Sequence, residues 1–185
     1  MDALAHEHLF DAAAALLLKR PEPDLIRQAA ALFGRTWDKG ERLLAEEDWR
    51  DLFFVPTSGR YLPPFESAFR EKRLGGLLAA SVLADYQTAG FEPCALAVDP
   101  LWLAVPGPDH LGVELAFVSA LKSGAARDPE AAPGLMASAA RFHAAHLAPW
   151  AGDYGRELAR AARSAVYRDL GGLLTELGGG GAWKP

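Results

Sequence analysis

An all-α fold is what this sequence predicts, an irregular single-domain helical bundle, and three observations carry the prediction. Alanine and leucine, both strong helix formers, dominate the chain. Long apolar runs are bounded by breaks rich in proline and glycine. Alternation of apolar and polar residues never persists long enough to demand a sheet.

The elements follow in chain order. A first helix is expected over 2–19, carrying "AAAALLL" and stopped by "RPEP". Two more fill 23–34 and 38–54, the latter closed by "PTSGRYLPP". From Glu66 one long helix is expected to 90, where "AGFEP" stops it. The stretch "ALAVDPLWLAV" has the composition of a short strand pair, but the central Pro100 weakens that reading. After "PGP" a helix is expected over 109–123, with Pro108 and Asp109 as its start and the Asp109 carboxylate free to cap it. Helices over 130–147 and 153–177 complete the set, separated by "APWAG". Residues 1–177 form the expected domain, and 178–185, "GGGGAWKP", read as a flexible tail. No fixed period repeats, so a solenoid is not predicted.

Composition narrows the function. At 185 residues, half of them hydrophobic, the chain can bury one sizeable core. A net charge of −5 with no basic stripe argues against nucleic-acid binding. Cys94 is the one cysteine, which excludes an intrachain disulfide and a thiolate zinc site and fits a reducing compartment. The first residues, "MDALAHEHLFD", lack the basic start of a secretory signal. No apolar stretch is long enough to span a bilayer. A cytoplasmic protein without a membrane span is the expectation.

Three stretches carry candidate chemistry. In "RYLPPFESAF", Pro63 and Pro64 force an extended approach to a helix whose first turn holds Glu66. Its ordinary reading is a stiff loop with Phe65 plugging the core; a peptide groove is the sharper one. In "PDHLGVELAFVSAL", the helix is apolar nearly all round, hence buried, yet His110 and Glu114 stand four residues apart on one side of it. Asp109 as a cap and His110 bonded to Glu114 would satisfy these groups structurally. In "RFHAAHLAPW", His146 lies on the face of Leu135, Ala139 and Phe142 and points inward, and Trp150 plugs the far side of Pro149. His143 and His146 have a spacing that could grip a metal, but a satisfied core histidine is the simpler reading, and the paired E-x-x-H motifs of di-iron bundles are absent. No nucleophile elbow, phosphate loop or H-E-x-x-H is present.

Taken together, "YLPPFESAF", "DYQTAGF", "PDHLGVELAFVSAL" and "FHAAHLAPW" occur in the order and spacing of one family. The chain resembles the TorD/DmsD/NarJ-type chaperones that mature molybdenum-containing oxidoreductases, over roughly residues 9–170. Phe65 stands where that family commonly has tyrosine, and Gly107 where it often has an acid. The resemblance implies a non-catalytic cytoplasmic chaperone without a cofactor. Its partners would be the twin-arginine signal peptide and the apo form of a molybdoenzyme, held until cofactor insertion and before export. Pro64, Phe65, Glu66, Pro108, Asp109, His110, Glu114 and Trp150 are the expected peptide-binding residues, carboxylates for guanidinium groups and aromatics for the apolar run. Two other readings stay open: a small helical enzyme using Asp109, His110 and Glu114 with a metal, and a structural subunit of an oxidoreductase complex. A monomer or a dimer exchanging segments across 90–108 is expected.

Overall fold

The computed structural model describes residues 3–104 and 107–178. Nine α-helices are found among them: α1 (Ala3–Leu18), α2 (Pro23–Phe33), α3 (Lys39–Phe53), α4 (Glu66–Glu71), α5 (Leu77–Ala89), α6 (Leu111–Arg127), α7 (Ala132–Phe142), α8 (Ala151–Ala161) and α9 (Ala165–Gly178). No strand occurs among the described residues, and none of their helices is long and apolar enough to cross a membrane. The tail expected from residue 178 lies outside the described residues, apart from Gly178, which ends α9.

One continuous apolar core runs through the helices. Helices α1 and α6 form its centre, with Leu16, Leu17, Leu111, Leu115 and Val118 fully buried. They cross closely at Gly112, where a Cβ would fall 2.7 Å from the Leu18 side chain. Phe117, Phe142 and Leu147 join the same core, as the apolar face of "PDHLGVELAFVSAL" requires. Glycines let α8 and α9 meet backbone to backbone: a Cβ on Gly155 would lie 2.6 Å from the Gly171 carbonyl oxygen. Glycine inside a helix costs about 0.5–1 kcal/mol relative to alanine. Here the close helix contact offsets that cost.

Three expected helices are broken, each for a local reason. The helix over 66–90 ends at Glu71, because Lys72, Gly75 and Gly76 take positive φ (58°, 80° and 86°) and turn the chain before α5. The helix over 130–147 widens after Phe142 into a π turn over His143–Leu147, with Ala148 N donating to the His143 carbonyl (2.8 Å). The helix over 153–177 is split at 162–164, where buried Asp48 of α3 draws off the backbone N–H groups of Arg163 and Ser164 (2.8 and 2.7 Å). Helix α6 instead runs longer than expected. Gly124 does not stop it, because α7 packs there, with Leu135 only 3.1 Å from where a Cβ would stand. In "ALAVDPLWLAV", whose last residue lies outside the described ones, no strand forms: a 3-10 turn over Pro93–Ala95 ends at its first residue and another spans Pro100–Ala104. Asp99 N and the Trp102 indole N–H donate to the Leu18 and Leu17 carbonyls (2.8 and 3.0 Å), so this segment closes the C-terminal end of α1.

Candidate functional site

The two motifs that the sequence sets some forty residues apart lie side by side. Pro63 and Pro64 hold the chain extended, and Phe65 pairs with His110 in an isolated antiparallel bridge. Glu66 N donates to the Asp109 carbonyl (2.9 Å) and Leu111 N to the Pro64 carbonyl (2.8 Å). The Asp109 carboxylate accepts from Ser67 N (2.9 Å), so it caps α4 rather than its own helix. This corrects the expectation for Asp109. The residue that caps α6 is His110, whose Nδ1 accepts from Gly112 N (3.0 Å). The expected His110–Glu114 hydrogen bond is not made: His110 Nε2 and both Glu114 oxygens have no hydrogen-bond partner among the described residues.

Aromatic rings seal this junction. Phe65 meets His110 and Trp102 edge-on, at centroid distances of 5.0 and 5.8 Å. Gly107 closes over the Phe65 ring, where a Cβ would come within 2.9 Å, leaving no room for an acidic side chain. The Tyr86 hydroxyl donates to the Pro108 carbonyl (3.0 Å), tying α5 to the same loop.

Behind the rings lies a group of buried carboxylates. Glu66, at the first position of α4, pairs with Arg70 one turn on and accepts from His146 Nδ1–H (2.9 Å), a tautomer that the carboxylate selects. His146 Nε2 faces outward, 3.3 Å from the Ser81 hydroxyl and 3.4 Å from the half-exposed Asp85 carboxylate. Glu114 is fully buried, and among the described residues neither of its oxygens has a hydrogen-bond partner. Burial pushes its carboxyl well above the ordinary range, and the nearby Glu66 and Asp109 push it further. Trp150 and Arg70 oppose this in part, yet the indole N–H of Trp150 is committed to the His146 carbonyl (2.5 Å). Burial and the neighbouring carboxylates thus both favour the protonated form of Glu114. Burial also lowers the His110 imidazole to about 3, so this ring is neutral, with Nε2 unpartnered.

All eight expected residues thus belong to one region, but the region is interior. Pro64, Phe65, Glu66, Asp109, His110, Glu114 and Trp150 are buried, and Pro108 is half-buried. Sequence reasoning missed Ser67, Arg70, Ser81, Asp85 and Tyr86. Arg70 alone had a local signal, standing four residues after Glu66 on one helix face. Among the described residues no three His, Cys, Asp or Glu side chains are grouped to hold a metal ion.

Comparison with known proteins assigns the chain to a family. Residues 11–154 match the family model described as the nitrate reductase delta subunit. No curated protein and no solved structure matches the chain. The chain belongs to the nitrate reductase delta subunit family, whose members are non-catalytic chaperones of molybdoenzyme assembly.

Proposed function

We propose that this chaperone acts in the cytoplasm on a nitrate-reductase-type molybdoenzyme, binding the client's twin-arginine signal peptide and holding the apo form until its cofactor is inserted. The observation that carries this reading is the balance of charge at the junction of α4 and α6. Among the described residues, Glu66 and Asp109 gather there beside Glu114, whose carboxyl their charge and its burial hold toward the neutral form, and Arg70 supplies the guanidinium paired with Glu66. Carboxylates short of cations favour an incoming guanidinium, with which they form their strongest hydrogen bonds. The aromatic and apolar surroundings suit the hydrophobic run that follows two arginines in such a leader. Because Asp109 and Glu114 are buried, Asp109 contributes from behind the surface and Glu114 contributes to the rigid junction, and a peptide arginine approaches from the Asp85 side.

The test is titration of a labelled twin-arginine peptide against the purified chain and its Asp109→Asn variant, with melting temperature read on the same samples. Asparagine can still accept from Ser67 N, so stability is expected to hold while affinity falls. Affinity is also expected to weaken, without vanishing, as salt screens the charges. Equal affinity for both proteins at all salt concentrations would remove the buried carboxylates from the reading.

A further inference from the structure

The two histidines of "RFHAAHLAPW" have different surroundings. His143 Nε2 lies 2.9 Å from the Leu177 carbonyl oxygen of α9. His146, within the π turn over His143–Leu147, meets α4 and α5 instead. Such turns are rare and occur often at functional sites.

The surroundings of His146 are those of a metal ligand. Its side chain is only 4 % exposed, and Nδ1–H is donated to the buried Glu66 carboxylate (2.9 Å). A carboxylate behind the ring fixes the tautomer and raises the basicity of the other nitrogen, as outer carboxylates do for metal-bound histidines. That other nitrogen, Nε2, carries its lone pair towards two oxygen ligands of α5. Ser81 and Asp85 stand four residues apart on one side of that helix. The Ser81 hydroxyl lies 3.3 Å from Nε2 and the Asp85 carboxylate 3.4 Å. Both are long for N–H···O hydrogen bonds, which centre near about 2.9–3.0 Å. They match the separation of two atoms bound to one tetrahedral zinc ion, about 3.3–3.5 Å for bonds of about 2.0–2.2 Å. Nε2 in this tautomer and the carboxylate are both acceptors, and a cation between them satisfies both.

We propose that His146 Nε2 and the Asp85 carboxylate form a site for a divalent transition-metal ion, best Zn²⁺, with the Ser81 hydroxyl and water completing it and Glu66 as the outer carboxylate. A borderline-soft ion suits an imidazole nitrogen beside oxygen ligands, whereas Mg²⁺ takes oxygen throughout. With one histidine and one carboxylate the site is open and of moderate affinity. Asp85 is half-exposed, so the ion enters from solvent, and once bound it clips α5 to the π turn. The site stands on this geometry and does not depend on the peptide reading above.

The experiment titrates zinc chloride into the full chain, stripped of metal by a chelator and dialysed, with calorimetry and melting temperature as readouts. Saturable binding is expected with a Kd of about 10–100 μM, and a melting temperature that rises with zinc concentration. Asp85→Asn is expected to weaken binding by roughly tenfold or more and to remove most of that rise. The metal-free variant should melt as wild type does, because Asp85 is half-exposed. In the unsubstituted chain, zinc is expected to shift the Nε2 resonance of His146. A resonance that zinc leaves in place overturns the site, whatever the variant does. So does the lack of saturable binding up to about 1 mM, or Mg²⁺ binding as tightly as Zn²⁺. Affinity unchanged in Asp85→Asn overturns it too, and places the zinc elsewhere, with His6, His8 and Cys94 the first alternatives.

Discussion

Two buried acidic sites lie in this molecule, and they are built in opposite ways. Asp48 of α3 is fully buried, and each of its oxygens is used. Oδ1 accepts from Arg60 (2.5 Å), while Oδ2 accepts from Arg163 N, Ser164 N and the Ser164 hydroxyl. Arg60 in turn binds Asp51 and the Ala161 carbonyl (2.9 and 3.1 Å). Burial works against the charge on Arg60, but Asp48 and Asp51 more than offset it and raise its pKa. At the α4–α6 junction, by contrast, Glu114, one oxygen of Asp109 and Nε2 of His110 have no hydrogen-bond partner among the described residues. Buried polar groups are satisfied where their task is structural. The first site locks the α8–α9 hairpin onto α3. The second leaves part of its hydrogen-bonding capacity unused by the described residues.

The contrast is broken most directly at Asp48. Asp48→Ala leaves Arg60 without its buried partner and three donors unsatisfied, so a loss of about 3–5 kcal/mol is expected in urea unfolding. A loss below about 1 kcal/mol would mean that the two sites do not differ in kind.

At the junction the expected effects depend on pH, and their signs oppose each other. His110 has its pKa lowered from 6.5 to about 3. Between these values the unfolded chain takes a proton that the folded chain refuses, so stability falls as pH drops from 6.5 towards 3. His110→Gln, which can still accept from Gly112 N, is expected to remove about 2–4 kcal/mol of that fall. Unfolding curves of the two proteins that stay parallel over this range would contradict the burial of a neutral ring.

Glu114 behaves in the reverse sense. Its folded pKa is raised above 4.5, so the folded chain holds a proton that the unfolded chain releases, and stability falls as pH rises through and above 4.5. Glu114→Gln is expected to match wild type below pH 4.5 and to be the more stable of the two at neutral pH. A variant less stable than wild type at neutral pH would show that the carboxyl has a partner after all.

The smallest effect is expected at Asp109. Asparagine caps about as well as aspartate, and its amide oxygen can meet Ser67 N, so Asp109→Asn is expected to change stability by less than about 1 kcal/mol. A larger loss in thermal unfolding would show that the charge itself holds α4 in place.

How far the sequence could be read follows from the range of each interaction. The helices α1, α2 and α3 fall within a residue or two of expectation, because helix propensity and proline breaks act within a few residues. The breaks at Lys72 and at residues 162–164 were hidden for different reasons. Lys72 has no sequence mark of its positive φ, and the second break depends on Asp48, more than a hundred residues earlier. At the site, residue types read correctly as a polar group at a buried helix start, but their partners did not. A periodicity argument pairs His110 with Glu114 because they are four residues apart on one helix. It cannot see that Gly112 N competes for the imidazole, or that Ser67 N awaits the Asp109 carboxylate.

The sequence by itself determined the helical class, the family and the buried character of α6, since each follows from local propensity or from motifs read in order. Only the tertiary structure decided that Asp109 caps α4, that Glu66 meets His146, that Glu114 is left unpartnered and that the leucines of α5 face outward. Helix formation depends on near neighbours. Which distant donor reaches a buried carboxylate depends on the path of the whole chain, and Glu66 and His146 are separated by eighty residues of it.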